Sequence, residues 1–182
     1  MRIADTDILL LPGLGNSGPG HWQRRWGEKL TTSRVVEQDN WDLPQVGPWT
    51  ANIQRAVMMA TRPVVIIAHS LGALALVHAA QGFKDTKVRG ALLVAVPDPA
   101  SDAFPDAARP FGHVPRDPLP FPSILVASSN DPLCSIEAAV DFSTAWGSEF
   151  HVANDAGHIN VASGHGPWPE GLMMFTRLMQ RI

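Results

Sequence analysis

Six short apolar runs constrain this chain more than any other feature: Ile8–Leu11, Val35–Val36, Val64–Ala68, Ala91–Val96, Ile124–Ala127 and Phe150–Val152. Most are continuous ("ILLL", "VVIIA", "ALLVAV", "ILVA") rather than alternating. A strand that faces water on one side alternates apolar and polar residues. A strand covered on both faces of a parallel sheet has no such need. Helix-like segments separate the runs, at His21–Leu30, Trp49–Ala60, Leu71–Gln81, Ile136–Trp146 and Gly171–Met179. Pro48 suits a first helical turn, and Ser135 is placed to cap the helix that follows it. The alternation of strand and helix along the chain predicts a doubly wound α/β domain. Right-handed crossovers then give a six-stranded, mostly parallel sheet of order 2-1-3-4-5-6 between two helical layers.

The chain has 182 residues. That length fits a single domain over 1–182 and suffices to bury a sizeable core. Residues 97–122 stand apart, with eight prolines. They predict a loop with no room for a long helix. It leaves the C-terminal end of the fourth strand, the edge where α/β sheets carry their sites.

The net charge is −3 and the basic residues form no runs, so neither nucleic acid nor an anionic membrane is expected as a partner. Cys134 is the single cysteine. It forms no internal disulfide, and no Cys/His spacing predicts a metal site. Asp5 and Asp7 interrupt the apolar N-terminus, and no run approaches membrane-spanning length. These features predict a soluble, cytoplasmic protein.

Ser70 follows a buried strand and opens an alanine-rich helix in "VVIIAHSLGALAL". The small residues Ala68 and Gly72 flank it at two-residue spacing. That is the context of a nucleophile held on a sharp strand-to-helix turn. The blander reading is a helix-capping serine. A nucleophile also needs a base and an orienting acid, and where a serine on such a strand-to-helix elbow carries a triad the order along the chain is Ser, acid, His. His158 follows Gly157 just after the last strand, where a base hangs over the sheet edge. His165 lies nearer the last helix, and His69 is expected to point away from the turn. Asp131 follows the fifth strand and Asp98 the fourth, and spacing alone does not choose between them.

The loop "LPGLGNSGPGHW" after the first strand has four glycines. It allows close backbone approach to a substrate. The N–H groups of Leu14, in this loop, and Leu71, at a helix N-terminus, are the expected oxyanion donors. A phosphate-binding alternative lacks the Lys-Ser/Thr ending of a P-loop, and its G-x-G is incomplete as a dinucleotide fingerprint. Glu37 and Asp39 are the residues that would serve a nucleotide's ribose. Cys134 has no basic neighbour to activate it and reads as a buried spectator. The six tryptophans read as packing residues, with Trp22 and Trp168 placed to line a pocket.

Five strings, "PGLGNSGPGHWQRRW", "QDNWDLP", "AHSLG", "SSNDPLC" and "GHINVASGHGPWPEG", run in order from Pro12 to Gly171. In them the chain resembles the small serine-hydrolase family typified by retinoblastoma-binding protein nine and its bacterial relatives. The resemblance implies a minimal α/β-hydrolase fold lacking the first two strands of larger members. It implies Ser70, Asp131 and His158 as a triad, with no metal or organic cofactor. Ala68 in place of the commoner glycine is shared with bacterial-looking members. It further implies a carboxylesterase-like activity on a small ester, thioester or amide, with amidase or peptidase activity within the same chemistry. A retinoblastoma-type partner is not expected: that contact needs Leu-x-Cys-x-Glu, and Leu133-Cys134-Ser135-Ile136-Glu137 has the wrong spacing. The competing reading is a non-catalytic binding protein on a hydrolase scaffold.

Overall fold

The computed structural model describes residues 1–83 and 87–182. Six strands form one sheet: β1 (Asp7–Leu11), β2 (Ser33–Val35), β3 (Val64–His69), β4 (Val88–Val94), β5 (Ser123–Ser128) and β6 (Glu149–Ala153). Their order is β2-β1-β3-β4-β5-β6. Every pairing is parallel, so the sheet is wholly rather than mostly parallel.

The continuous apolar runs have the expected cause. Leu9, Leu11, Ile66, Leu93 and Leu125 turn to one face of the sheet. Ile8, Leu10, Val65, Ile67, Leu92, Val94, Ile124 and Val126 turn to the other. Successive side chains along a strand alternate in direction, so a strand covered twice is apolar at every position. The first face packs under α2 (Val46–Met58), α3 (Leu71–Ala80) and α4 (Ile136–Trp146), through Trp49, Ile53, Phe142 and Trp146 among others. The second packs under α1 (Trp22–Lys29) and α5 (Pro169–Arg181), through Trp22, Trp26, Phe175 and Leu178. Ser135 does cap α4, its side chain accepting from Ala138 N.

Some boundaries move. β4 begins at Val88 and ends at Val94, because Ala95 takes φ 50° and turns the chain out of the sheet before Val96. α2 starts at Val46, with Pro48 inside its first turn, where a missing N–H costs no hydrogen bond. Residues 97–122 hold only a short 3-10 helix, Asp106–Phe111. Its Ala108 and Phe111 join the core, and Phe111 meets the His78 ring of α3 edge-on.

Among the described residues, five that are not glycine have positive φ: Asn16, Ser70, Ala95, Asp155 and Ile159. All lie in the segments that follow the C-terminal ends of strands. Such conformations cost on the order of 1–3 kcal/mol each and persist only where surrounding contacts enforce them. The strain of the molecule is therefore concentrated along one edge of the sheet.

Candidate active site

Ser70 occupies the tip of the β3–α3 turn with φ 53° and ψ −128°. Its N–H donates to Val94 O at 2.9 Å, and its carbonyl accepts from Ala73 N at 2.9 Å. The turn is tight because the exit of β1 passes directly against it. A Cβ at Gly72 would stand 2.3 Å from Leu11 O and 2.5 Å from Pro12 O, so only glycine fits. The Ser70 side chain makes no capping bond to α3. It turns away from the helix and meets His158.

His158 Nε2 lies 2.8 Å from Ser70 Oγ. On the opposite side of the ring, Nδ1 lies 2.9 Å from Asp131 Oδ2 and 3.0 Å from Oδ1. A carboxylate oxygen accepts, so Nδ1 carries the proton and Nε2 offers its lone pair to the Ser70 hydroxyl. The imidazole side chain is 13% exposed and the Asp131 carboxyl 2%, which keeps the chain of hydrogen bonds largely out of water. Leu133 N also donates to Asp131 Oδ1, at 2.9 Å. Asp98 spends its carboxylate within its own turn, accepting from Ala100 N at 2.9 Å. His165 Nδ1 is 3.2 Å from Ser163 Oγ and stands outside the Ser70–His158–Asp131 chain.

A groove of about 360 Å³ opens on this chain. Gly13, Leu14, Asn16 and Gly18 wall it from the β1 loop; Asn160 and Val161 wall it from the β6 loop. No residue of 97–122 contributes to its lining. A Cβ at Gly13 would lie 2.9 Å from Ser70 Cβ and 3.2 Å from Leu71 N. The bare glycine backbone thus brings the β1 loop beside the N-terminus of α3, where Leu14 and Leu71 were expected to act. Gln23 fixes that loop. It is 1% exposed, donates from Nε2 to Leu11 O at 3.1 Å and to Ile67 O at 2.9 Å, and accepts from Ser17 Oγ at 2.9 Å.

Residues 8–177 match the serine hydrolase family model. The chain belongs to that family. Among solved structures, this serine hydrolase is similar to one described as a YdeN-like hydrolase from Pectobacterium atrosepticum, at 33% identity and TM-score 0.85, covering 97% of this chain and 92% of that one. The ydeN gene product of B. subtilis shares 15% identity with TM-score 0.82, over 97% and 99% of the two chains. Est1E from Butyrivibrio proteoclasticus, solved with ferulic acid bound, shares 13% identity with TM-score 0.72, over 95% and 89%. The last two likenesses speak for the α/β-hydrolase fold alone. No curated protein sequence matches the chain.

Two expected pocket residues of the hydrolase lie elsewhere. Trp22 is 0% and Trp168 3% exposed, and neither lines the groove. Both belong to the apolar layer under α1 and α5, where their rings meet at 4.9 Å. The Trp168 ring lies over Gly171, where a Cβ would fall 2.1 Å from it. The "GPWPEG" string is thus a packing device: an indole, a proline opening α5, and a glycine that makes room for the indole.

His69 has a partner that the sequence did not suggest. Its side chain does leave the turn on the far face of β3, but the β6 loop folds down over that face. His69 Nε2 therefore donates to His158 O at 3.0 Å, and the two rings stand 5.1 Å apart. Burial first, then the nearby His158 and His21, push its pKa well below 6.5. His21, also on the groove wall, accepts from Gln23 N through Nδ1 at 3.2 Å. Burial first, then His158 and His165, lower its pKa to about 4. Both imidazoles are neutral at physiological pH. Cys134 is buried, and burial first, then Asp98 and Asp131, raise its thiol pKa to about 12, which leaves it without a nucleophilic thiolate.

Proposed function

We propose that this serine hydrolase cleaves a small ester, thioester or amide through an acyl-enzyme on Ser70, in a single catalytic domain spanning 1–182. The observation that carries the reading is the unbroken hydrogen-bond chain from Ser70 Oγ through His158 to Asp131, on a strained turn that opens into a groove. In the first half-reaction His158 Nε2 takes the Ser70 proton as Oγ attacks the substrate carbonyl carbon. The resulting oxyanion sits against the N–H groups of Leu14 and Leu71, each contributing about 3 kcal/mol at the transition state. The imidazolium returns its proton to the leaving alkoxide, thiolate or amine as the bond to carbon breaks. In the second half-reaction His158 deprotonates a water, which attacks the acyl carbon. Collapse then releases the carboxylic acid and restores Ser70. Asp131 keeps the imidazole in the productive tautomer and stabilises its charged form without itself taking the proton.

The activity is carboxylesterase-like, with a preference for short acyl groups. The proline-rich segment after β4 supports this, since it supplies no helical cover and no wall of the groove. Among the described residues no helix is long and apolar enough to cross a membrane. With its one thiol free and buried, a cytoplasmic setting fits the same reading. Hydrolysis rates over p-nitrophenyl esters of graded chain length, with aminoacyl amides alongside, test the proposal. The expected kcat/KM peaks at the short esters; a maximum at long chains with activation at a lipid interface contradicts it.

A further inference from the structure

The β6 loop that carries His158 has an uncommon support. Five consecutive residues, 155–159, each hand one main-chain group to a side chain from another part of the chain. Asp155 N donates to Ser129 Oγ at 2.8 Å, Ala156 N to Ser128 Oγ at 3.1 Å, and Gly157 N to Asn130 Oδ1 at 2.7 Å. His158 O accepts from His69 Nε2, and Ile159 O accepts from Trp22 Nε1 at 2.8 Å. Asp155, Gly157 and Ile159 all have positive φ, at 51°, 56° and 46°. Besides one main-chain bond inside the segment, Ile159 N–H to Ala156 O at 3.1 Å, the side chains on either flank hold this backbone.

The first three of those side chains come from Ser128-Ser129-Asn130, the residues directly before Asp131. Ser128 Oγ accepts from Ala156 N and donates its own proton to Asn130 Oδ1 at 2.9 Å. Two donors converge on Oδ1, which fixes the Asn130 amide orientation. The strand end that presents the carboxylate to His158 Nδ1 therefore also grips the main chain on the N-terminal side of His158. His69, the neighbour of Ser70, grips it on the C-terminal side. Each partner of the imidazole has an adjoining residue that holds the imidazole's backbone.

We infer that Asn130, backed by Ser128, is a positioning residue that sets the distance between His158 and both of its partners. The inference rests on the reading of His158 as the general base. It acts through geometry alone: Asn130 touches no reacting atom. Misplacing a base by a fraction of an ångström to 1 Å lowers the rate of the chemical step without weakening substrate binding.

The test compares Asn130→Ala and Asn130→Asp with the wild type, using a short p-nitrophenyl ester for steady-state kinetics and a fluorophosphonate for the rate of Ser70 labelling. Asn130 is exposed at the surface, so neither change threatens the fold, and thermal denaturation checks this. In Asn130→Ala, kcat and the labelling rate should fall by about 10- to 100-fold, with KM within about twofold of wild type. Asn130→Asp keeps an oxygen at the Oδ1 position and should recover most of the loss. Wild-type turnover with an unaffected Asn130→Ala overturns the inference alone. So does a loss carried by KM, or an equal loss in Asn130→Asp. A wild type with neither turnover nor labelling overturns the hydrolase reading and this inference with it.

Discussion

The indole Nε1–H of Trp22 donates to the carbonyl of Ile159, 2.8 Å away and 137 positions along the chain. Both residues are 0% exposed. This bond ties the start of α1 to the residue that follows His158. Removing the donor leaves a buried carbonyl unpaired, at a cost of about 1–3 kcal/mol. Trp22→Phe, which keeps most of the ring volume, should lower the urea-unfolding free energy by that amount and also reduce kcat. A Trp22→Phe protein as stable as the wild type would mean that Ile159 O is satisfied in some other way.

Asp131 and Asp98 follow adjacent strands, and only Asp131 reaches His158. Asp131→Asn should retain the fold, since the amide still fills the same space and Leu133 N still finds an oxygen. It should lower kcat by up to about 10⁴, because an amide can hold the imidazole in the unproductive tautomer. Asp98→Asn should leave kcat nearly unchanged. Steady-state kinetics on the two variants decides this, and the reverse pattern would move the acid to the β4 loop.

His21 and His69 make folding sensitive to acid. Burial is the main cause of their lowered pKa values, about 4 for His21 and well below 6.5 for His69. In the unfolded chain both titrate near about 6.5. Above that pH both states are neutral and these residues add no pH dependence. As the pH falls below it, the unfolded chain binds protons that the folded chain refuses, so stability declines by up to about 1.4 kcal/mol per pH unit for each histidine. For His21 the decline continues to about pH 4. Unfolding free energies of the wild type and of His21→Gln, measured from pH 7.5 to 5, should differ by an amount that changes with pH, the variant having the shallower slope. Parallel curves would show that His21 is not held neutral by the fold.

The sheet was legible in the sequence because burial on both faces leaves a signature at every strand residue, as in "VVIIA" and "ILVA". The Ser70 turn was legible because Gly72 answers a local steric demand. Contacts between loops that meet only in space were not. Trp22 and Trp168 stand near the site loops in the sequence, yet sequence proximity carries no information about depth. Each indole turned inward, to the layer between the sheet and α5. His69 was expected only to point away from the turn. That expectation overlooked the β6 loop, which returns across that face and accepts from the His69 ring. Gln23 reads as an ordinary helical glutamine, and nothing local marks it as the buried anchor of the β1 loop. The Ser128-Ser129-Asn130 string was visible as part of "SSNDPLC". Its grip on residues 155–157 depends on the β5–β6 pairing that sets the two strand ends side by side.

The central claim is that Ser70 is the nucleophile, activated by His158. Intact-protein mass spectrometry after incubation with a fluorophosphonate tests it most directly. The wild type should gain the mass of one phosphonyl group, mapped to the peptide containing Ser70. The Ser70→Ala protein, folded to the same thermal midpoint within a few degrees, should gain none. Labelling that persists in Ser70→Ala would place the nucleophile elsewhere and contradict the assignment.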